Sequence, residues 1–169
     1  MARRKQPECP YRVGHGYDIH RLRAGRRLVV AGQVVSRKLA AVAHSDGDVA
    51  CHAIVDALLG AIGQGDIGQH FPNSDPKWKG VSSDVFVKAA ASRLAGAGWR
   101  VANVDLTILA ERPRLAPFRD AMRRWLEAML DCPVNVKFGT HEGCDAIGRG
   151  QAIAAHAVAL VMHESGGTS

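Results

Sequence analysis

The chain has 169 residues, 47% of them hydrophobic, which suits one domain with a modest core. Its formal charge is +6, much of it in Met1–Lys5 and Arg21–Arg27, and with only 5% aromatic residues there is no stacking platform for single-stranded nucleic acid. No apolar run reaches about 18 residues and none follows the basic start, which argues against a transmembrane helix and a secretory signal.

Residues 1–11 are polar and basic and are expected to be disordered, ahead of a single domain over 12–163 and a flexible tail over 164–169. Arg12–Leu22 suits a strand interrupted by Gly14 and Gly16. A short strand at Arg27–Ala31 pairs with Gln33–Ser36. Asp46–Gly63 has helical spacing in Val49, Ile54, Leu58 and Ile62, with Asp46 or Asp48 as N-cap and Gly63-Gln64-Gly65 as the stop. Gly65–Gly80 is rich in Gly, Pro, Asn, Ser and Asp and reads as one long loop, of the kind that is functional or mobile.

Ser82 or Ser83 caps a second helix that runs to about Gly96. Trp99–Ala110 alternates as a strand, Ala116–Leu130 has a helical apolar face, and Val134–Gly139 is a further strand. Gln151–His163 is Ala-rich, which favours helix, yet Ile153, Ala155, Ala157, Ala159 and Val161 alternate. Strand is preferred there, because the sheet needs a closing partner. The expected fold is α+β, a ferredoxin-like sheet with helices on one face.

Chemistry concentrates in a few places. On an extended strand Asp18 and His20 point to the same face. His44-Ser45-Asp46-Gly47-Asp48 and His52 crowd a loop-to-helix junction, where unpaired N–H groups attract phosphate. Asp56, one helical turn beyond His52, is placed to orient that imidazole. Asp18, His20 and His52 make a three-ligand N/O set of the kind that holds catalytic zinc with one position open. Asp66-Ile67-Gly68 and Phe71-Pro72-Asn73-Ser74-Asp75 suit sugar hydroxyls, and equally suit turns. Gly139-Thr140-His141-Glu142 offers a hydroxyl for phosphate and a carboxylate for Mg²⁺, and Arg149 sits between glycines as an anion clamp. The four cysteines Cys9, Cys51, Cys132 and Cys144 form no C-x-x-C pair. Free thiols fit a reducing compartment, so a cytoplasmic location is expected.

Together these motifs resemble one family. Gly14-His15-Gly16-Tyr17-Asp18-Ile19-His20 is similar to its N-terminal signature. Ala43-His44-Ser45-Asp46-Gly47-Asp48-Val49 through His52, then Asp56-Ala57-Leu58-Leu59-Gly60, is similar to its central one. Gly65-Asp66-Ile67-Gly68, Phe71-Pro72, Asp75-Pro76, Lys79-Gly80, Asn103-Val104-Asp105, Val134-Asn135-Val136-Lys137 and Gly148-Arg149-Gly150 follow in its order. The chain is thereby identified, over about Arg12 to Val161, as resembling the 2-C-methyl-D-erythritol 2,4-cyclodiphosphate synthase family.

The resemblance implies a metal-dependent, CMP-releasing phosphorus–oxygen lyase of isoprenoid precursor biosynthesis. It implies a homotrimer with active sites between subunits. The implied substrate is 4-diphosphocytidyl-2-C-methyl-D-erythritol 2-phosphate. By resemblance Asp18, His20 and His52 hold Zn²⁺, and Glu142 binds a second divalent cation, Mg²⁺ or Mn²⁺. Asp18, His20, His44, Ser45, Asp66, Ile67, Gly68 and Phe71–Asp75, including Pro72, Asn73 and Ser74, meet the methylerythritol phosphate. Ala110, Pro113, Arg114, Leu115 and Ala116 line the cytosine pocket. His44 and Thr140 are the implied catalytic contacts, with Gly139, His141 and Glu142 beside them. Ala146 and Arg149 face a central trimer cavity that in the family holds isoprenoid diphosphates.

The chain departs from the family where Gly139-Thr140-His141-Glu142 replaces a Thr-Thr-x-Glu run and Gly143-Cys144-Asp145-Ala146 replaces a Lys and an aromatic. Asn73 and Arg114 replace a common Asp and Lys. Two enzyme alternatives stand beside this reading: a divergent zinc phosphohydrolase, and a cyclase with altered nucleotide preference. An RNA-binding module would need aromatics on its central strands, where only Phe138 is available. No nucleic-acid or membrane partner is therefore expected.

Overall fold

The structure is a computed structural model that describes residues 9–164. Most of the expected basic N-terminus and C-terminal tail lies outside those residues. Strand β1 (Tyr11–Ala24) is one unbroken strand of 14 residues. It is followed by β2 (Leu28–Val30), β3 (Gln33–Ser36), β4 (Leu39–Ala41), α1 (Val49–Ala61), α2 (Ile67–His70), a 3₁₀ turn at Pro76–Trp78 and α3 (Asp84–Gly96). Then come β5 (Trp99–Leu109), a 3₁₀ turn at Ala116–Phe118, α4 (Arg119–Leu130), β6 (Val134–Gly139) and β7 (Ala152–His163). The main sheet has the order β4-β1-β7-β5-β6. Among the described residues only the β5–β6 pair is parallel, with α4 as its crossover.

Gly14 and Gly16 do not interrupt β1, contrary to the expectation. They are where α1 lies on the sheet. A Cβ at Gly14 would stand 1.8 Å from the carbonyl oxygen of Ala57, and one at Gly16 would stand 1.9 Å from that of Ala53. Opposite them β7 contributes Ala155, Ala157 and Ala159, all fully buried. Small side chains on both strands let the helix sit on the backbone. That tertiary demand overrides the helix preference of the alanines.

Helix α1 is buried nearly all round, with only Asp56 and Gly60 reaching solvent, because β1 and β7 cover one side and α3 packs the other. Its N-cap is Asp48, whose carboxylate accepts from Ala50 and Cys51 N–H and from Ala31 and Gly32 N–H, the latter two at 2.8 Å. Ala31 and Gly32 both have positive φ (46° and 72°), the demand of a tight two-residue hairpin turn between β2 and β3. Asp48 is thus a structural clamp between hairpin and helix.

Three expectations are corrected. Gly65–Gly80 carries a helical turn and a 3₁₀ turn, capped by the Asp66 and Asp75 carboxylates. Ala116–Phe118 is 3₁₀ and the α-helix begins at Arg119. Strand β4, three residues on the edge of β1, was not anticipated.

All helices cover one face of the sheet. The other face is open and partly apolar, exposing Val13, Tyr17, Ile19 and Val158. His15 and His156 meet on it at 3.2 Å. Among the described residues no helix is long and apolar enough to cross a membrane.

Candidate active site

Asp18 and His20 project from β1 toward the N-terminal turn of α1, where His52 faces them. Asp18 Oδ2 lies 2.9 Å from His52 Nδ1 and 3.2 Å from His20 Nε2, and the two imidazole nitrogens are 3.1 Å apart. The three atoms form a near-equilateral triangle. Tetrahedral zinc with bonds of about 2.0–2.1 Å has ligand–ligand edges of about 3.3 Å, so the donor set fits that ion. The charge states fit too. Burial alone would raise the Asp18 carboxyl, but its contacts with the His52 and His20 imidazoles outweigh it and hold the group below its ordinary value. Burial pushes His20 down, against the pull of Asp18. An ionised carboxylate beside a neutral imidazole is the form that accepts a metal.

The triad opens into a cavity of about 300 Å³ that also receives His44, Ser45, Ile67, Gly68, Phe71 and Asn73. His44 Nε2 is buried there with no hydrogen-bond partner among the described residues. A buried unpaired nitrogen costs free energy, so it marks a place where a ligand atom belongs. The same holds for Trp78 Nε1, which lines the cavity and packs edge-on against Phe71 and Phe86. Trp78 was missed in the sequence. The signal available was an indole inside a Gly- and Pro-rich loop. Pro72 and Ser74 do not line the cavity, and Asp66 and Asp75 serve as caps.

One local expectation fails and one holds in place only. Asp56 does not touch His52; its Oδ1 accepts from Ile67 N–H at 2.7 Å and so anchors the long loop. The reason is that α1 is enclosed, and the exposed side of Asp56 faces the loop rather than the triad. Ser83 is the N-cap residue of α3, as read, but its side chain makes no capping hydrogen bond. Its hydroxyl instead contacts Asp46 Oδ1 and, at 3.1 Å, His52 Nε2. Ser45 Oγ stands at the same 3.1 Å from that nitrogen.

A second cavity of about 400 Å³ lies past the ends of β5 and β6. Ala110, Glu111, Pro113, Arg114, Leu115, Ala116, Arg119, Phe138, Gly139 and Thr140 line it. The Arg119 guanidinium stacks on Phe138 at 5.1 Å. The Arg112–Pro113 peptide is cis. Thr140 donates to Glu142 Oε1 at 2.7 Å, while His141 pairs with Asp145 at 2.7 Å on the outer side of the loop. Ala146 lines a third hollow of about 560 Å³ with Ile19, Arg21, Leu22, Gln151 and Ala152. Arg149 reaches the Cys144 carbonyl rather than that hollow. Among the described residues the first two cavities share no lining residue.

The YgbB family matches residues 11–162. A 2-C-methyl-D-erythritol 2,4-cyclodiphosphate synthase of Burkholderia mallei is 48% identical over 158 residues, 92% of this chain and 98% of the relative. The chloroplastic synthase of Arabidopsis thaliana is 46% identical over 156 residues, 90% of this chain and 68% of the relative. A solved structure of such a synthase in a CDP-bound form superposes with TM-score 0.82 at 39% identity, covering 89% of this chain and 99% of that one. The sheet, the helices on one face and nearly the whole of β1 through β7 lie inside these matches, and the chain belongs to the YgbB family, that of the 2-C-methyl-D-erythritol 2,4-cyclodiphosphate synthases.

Proposed function

We propose that the chain converts 4-diphosphocytidyl-2-C-methyl-D-erythritol 2-phosphate to 2-C-methyl-D-erythritol 2,4-cyclodiphosphate and CMP. The carrying observation is the Asp18–His20–His52 triangle opening into the cavity where His44 Nε2 has no partner. An oxygen of the 2-phosphate attacks the β-phosphorus, and the bond from that phosphorus to the oxygen shared with the α-phosphate breaks. That oxygen leaves with CMP. The nucleophile is already an anion, so no strong base is required. Charge repulsion and alignment are the obstacles.

Asp18, His20 and His52 would hold Zn²⁺, and Glu142 with the diphosphate would hold Mg²⁺ or Mn²⁺. When bound, these cations neutralise phosphate charge and align the displacement. His44 donates an Nε2–H hydrogen bond to a substrate phosphate oxygen, and the Ser45 hydroxyl lies beside it. The Thr140 hydroxyl turns from Glu142 to a phosphate oxygen. Ile67, Gly68, Phe71 and Asn73 enclose the methylerythritol portion, with Asp66, Pro72, Ser74 and Asp75 shaping the loop. Ala110, Pro113, Arg114, Leu115, Ala116 and Gly139 receive the cytidine.

The working form is a homotrimer whose sites join the metal cavity of one subunit to the nucleotide cavity of the next. The separation of the two cavities and the apolar open face of the sheet support this. The hollow beside Ala146 contributes to a central cavity suited to an isoprenoid diphosphate, with Arg149 near its anionic end. The four free cysteines suit the cytoplasm. Incubation of the protein with the cytidine substrate and Mg²⁺, followed by ³¹P NMR, is expected to yield a cyclic diphosphate and CMP. An open-chain phosphate product would replace this reading with a zinc phosphohydrolase.

A further inference from the structure

We propose that Ser83 and Asp46 are positioning residues of the metal centre. They form a relay that keeps the proton of His52 on Nε2 and turns its Nδ1 lone pair to the point shared with Asp18 and His20. The inference rests on the reading of that triad as a zinc site.

Ser83 is 1% exposed, and nothing in its packing at the start of α3 uses its hydroxyl for the helix. Its oxygen lies 2.5 Å from Asp46 Oδ1 and 3.1 Å from His52 Nε2. A carboxylate only accepts and a hydroxyl has one proton, so the Ser83 proton goes to Asp46. Asp46 is held for this by two backbone donors, Ser83 N–H to Oδ2 and Asp48 N–H to Oδ1, each at 3.2 Å. The Ser83 oxygen is then left with lone pairs alone toward His52, and the bond requires a proton on Nε2.

With Nε2 protonated, Nδ1 is bare, and it is Nδ1 that lies 2.9 Å from Asp18 Oδ2 and 3.1 Å from His20 Nε2. The donations therefore run from the Nε2–H of the ligand imidazole to the Ser83 oxygen, and from the Ser83 hydroxyl to the Asp46 carboxylate. Ser45 also stands 3.1 Å from Nε2, but its oxygen accepts from Gly47 N–H and, with Nε2 protonated, its own proton has no acceptor among the described residues. The two serines divide the work: Ser83 sets the imidazole, and Ser45 keeps a free proton facing the cavity. Partners of this kind behind a metal-bound histidine change metal affinity by roughly 10–100-fold when removed.

The test compares the full-length parent with Ser83→Ala and Asp46→Asn. Zinc dissociation constants come from chelator competition at pH 7.5. The His52 Nε2–H resonance is followed in zinc-loaded protein with ¹⁵N-labelled histidine, and the metal-free proteins are checked by thermal unfolding. The parent is expected to show a slowly exchanging Nε2–H signal. Ser83→Ala is expected to bind zinc about 10–100-fold more weakly, with that signal lost to exchange. Asp46→Asn keeps an oxygen for Ser83 but loses its charge, and should fall between. Should Ser83→Ala fail to fold, the Asp46→Asn shift carries the test. Zinc affinity and proton protection unchanged in the folded variants would overturn the relay while leaving the triad intact. A parent that binds no zinc would overturn the triad itself.

Discussion

Gly139 offers a direct test of the nucleotide cavity. The resembling family has a threonine there, and this chain has no side chain to offer. Its φ is not left-handed, so a side chain carries no backbone strain. A Cβ at this position meets one atom, Leu109 Cδ2 at 2.9 Å, the far end of a flexible side chain. Leu109 must withdraw by about 0.5 Å, which costs about 0.5–1.5 kcal/mol if its rotamer is displaced. Against this, Thr is favoured over Gly in a strand by up to about 1 kcal/mol. Fold stability should therefore change little in Gly139→Thr. A hydroxyl bonded to a charged phosphate contributes about 1.5–3 kcal/mol, and about 0.5–1.5 to a neutral ribose group. The net expectation is about tenfold tighter binding. Isothermal titration with CDP and Mg²⁺, and kcat/KM with the full substrate, measure it. Gly139→Ala makes the same contact with Leu109 without a hydroxyl and should show no gain. Equal affinities for the Ala and Thr variants would refute the reasoning, because the effect would then come from backbone stiffening alone.

Three further outcomes are expected. His52→Ala should remain folded yet lose stoichiometric zinc; in the parent, zinc should be released as pH falls, with a midpoint below the ordinary histidine value of about 6.5, because burial already holds His20 down and protons compete later. Metal titration at stepped pH, read by atomic absorption after desalting, checks both. Mixing His52→Ala with Ala116→Trp, each inactive, should restore turnover in about a quarter of composite sites under random cyclic assembly, whereas a monomer in sedimentation would remove the basis for sharing. Asp131 ends α4 in the left-handed region at φ 51°, so Asp131→Gly should add about 0.5–1 kcal/mol and raise Tm by about 1–4 °C in calorimetry.

What the sequence made legible follows from the range of each signal. Asp18 and His20 share a face because a strand alternates, and that needs no tertiary knowledge. The strand at β7 was readable through alternation, although its alanines favour a helix, because Ile153 and Val161 repeat the same period. The pairing of Ser83 with Asp46 was invisible, since the two are 37 residues apart and each also fits a helix cap. Asp56 has the right helical spacing from His52, but spacing along a helix says nothing about which side the sheet and α3 enclose. Glycine in a strand signals either a break or a close approach, and only the packed helix decides between them. Strand β4 has three residues, too few for any period to register.

The two glycines of β1 also set a measure along the molecule. Two residues of strand advance about 6.7 Å and four residues of helix about 6.0 Å. Gly14 lies under Ala57 and Gly16 under Ala53, so helix and strand run in opposite senses with nearly equal strides. One stride further along β1 is Asp18, and the matching stretch of α1 is the first turn, which carries His52. The metal point lies where the bare backbone stops and side chains resume. Its depth is fixed by main chain resting on main chain, before any ligand is chosen. Exchanging one ligand type for another would leave that point in place, while a single methyl at Gly14 or Gly16 would lift the helix and carry the imidazole away from both of its partners.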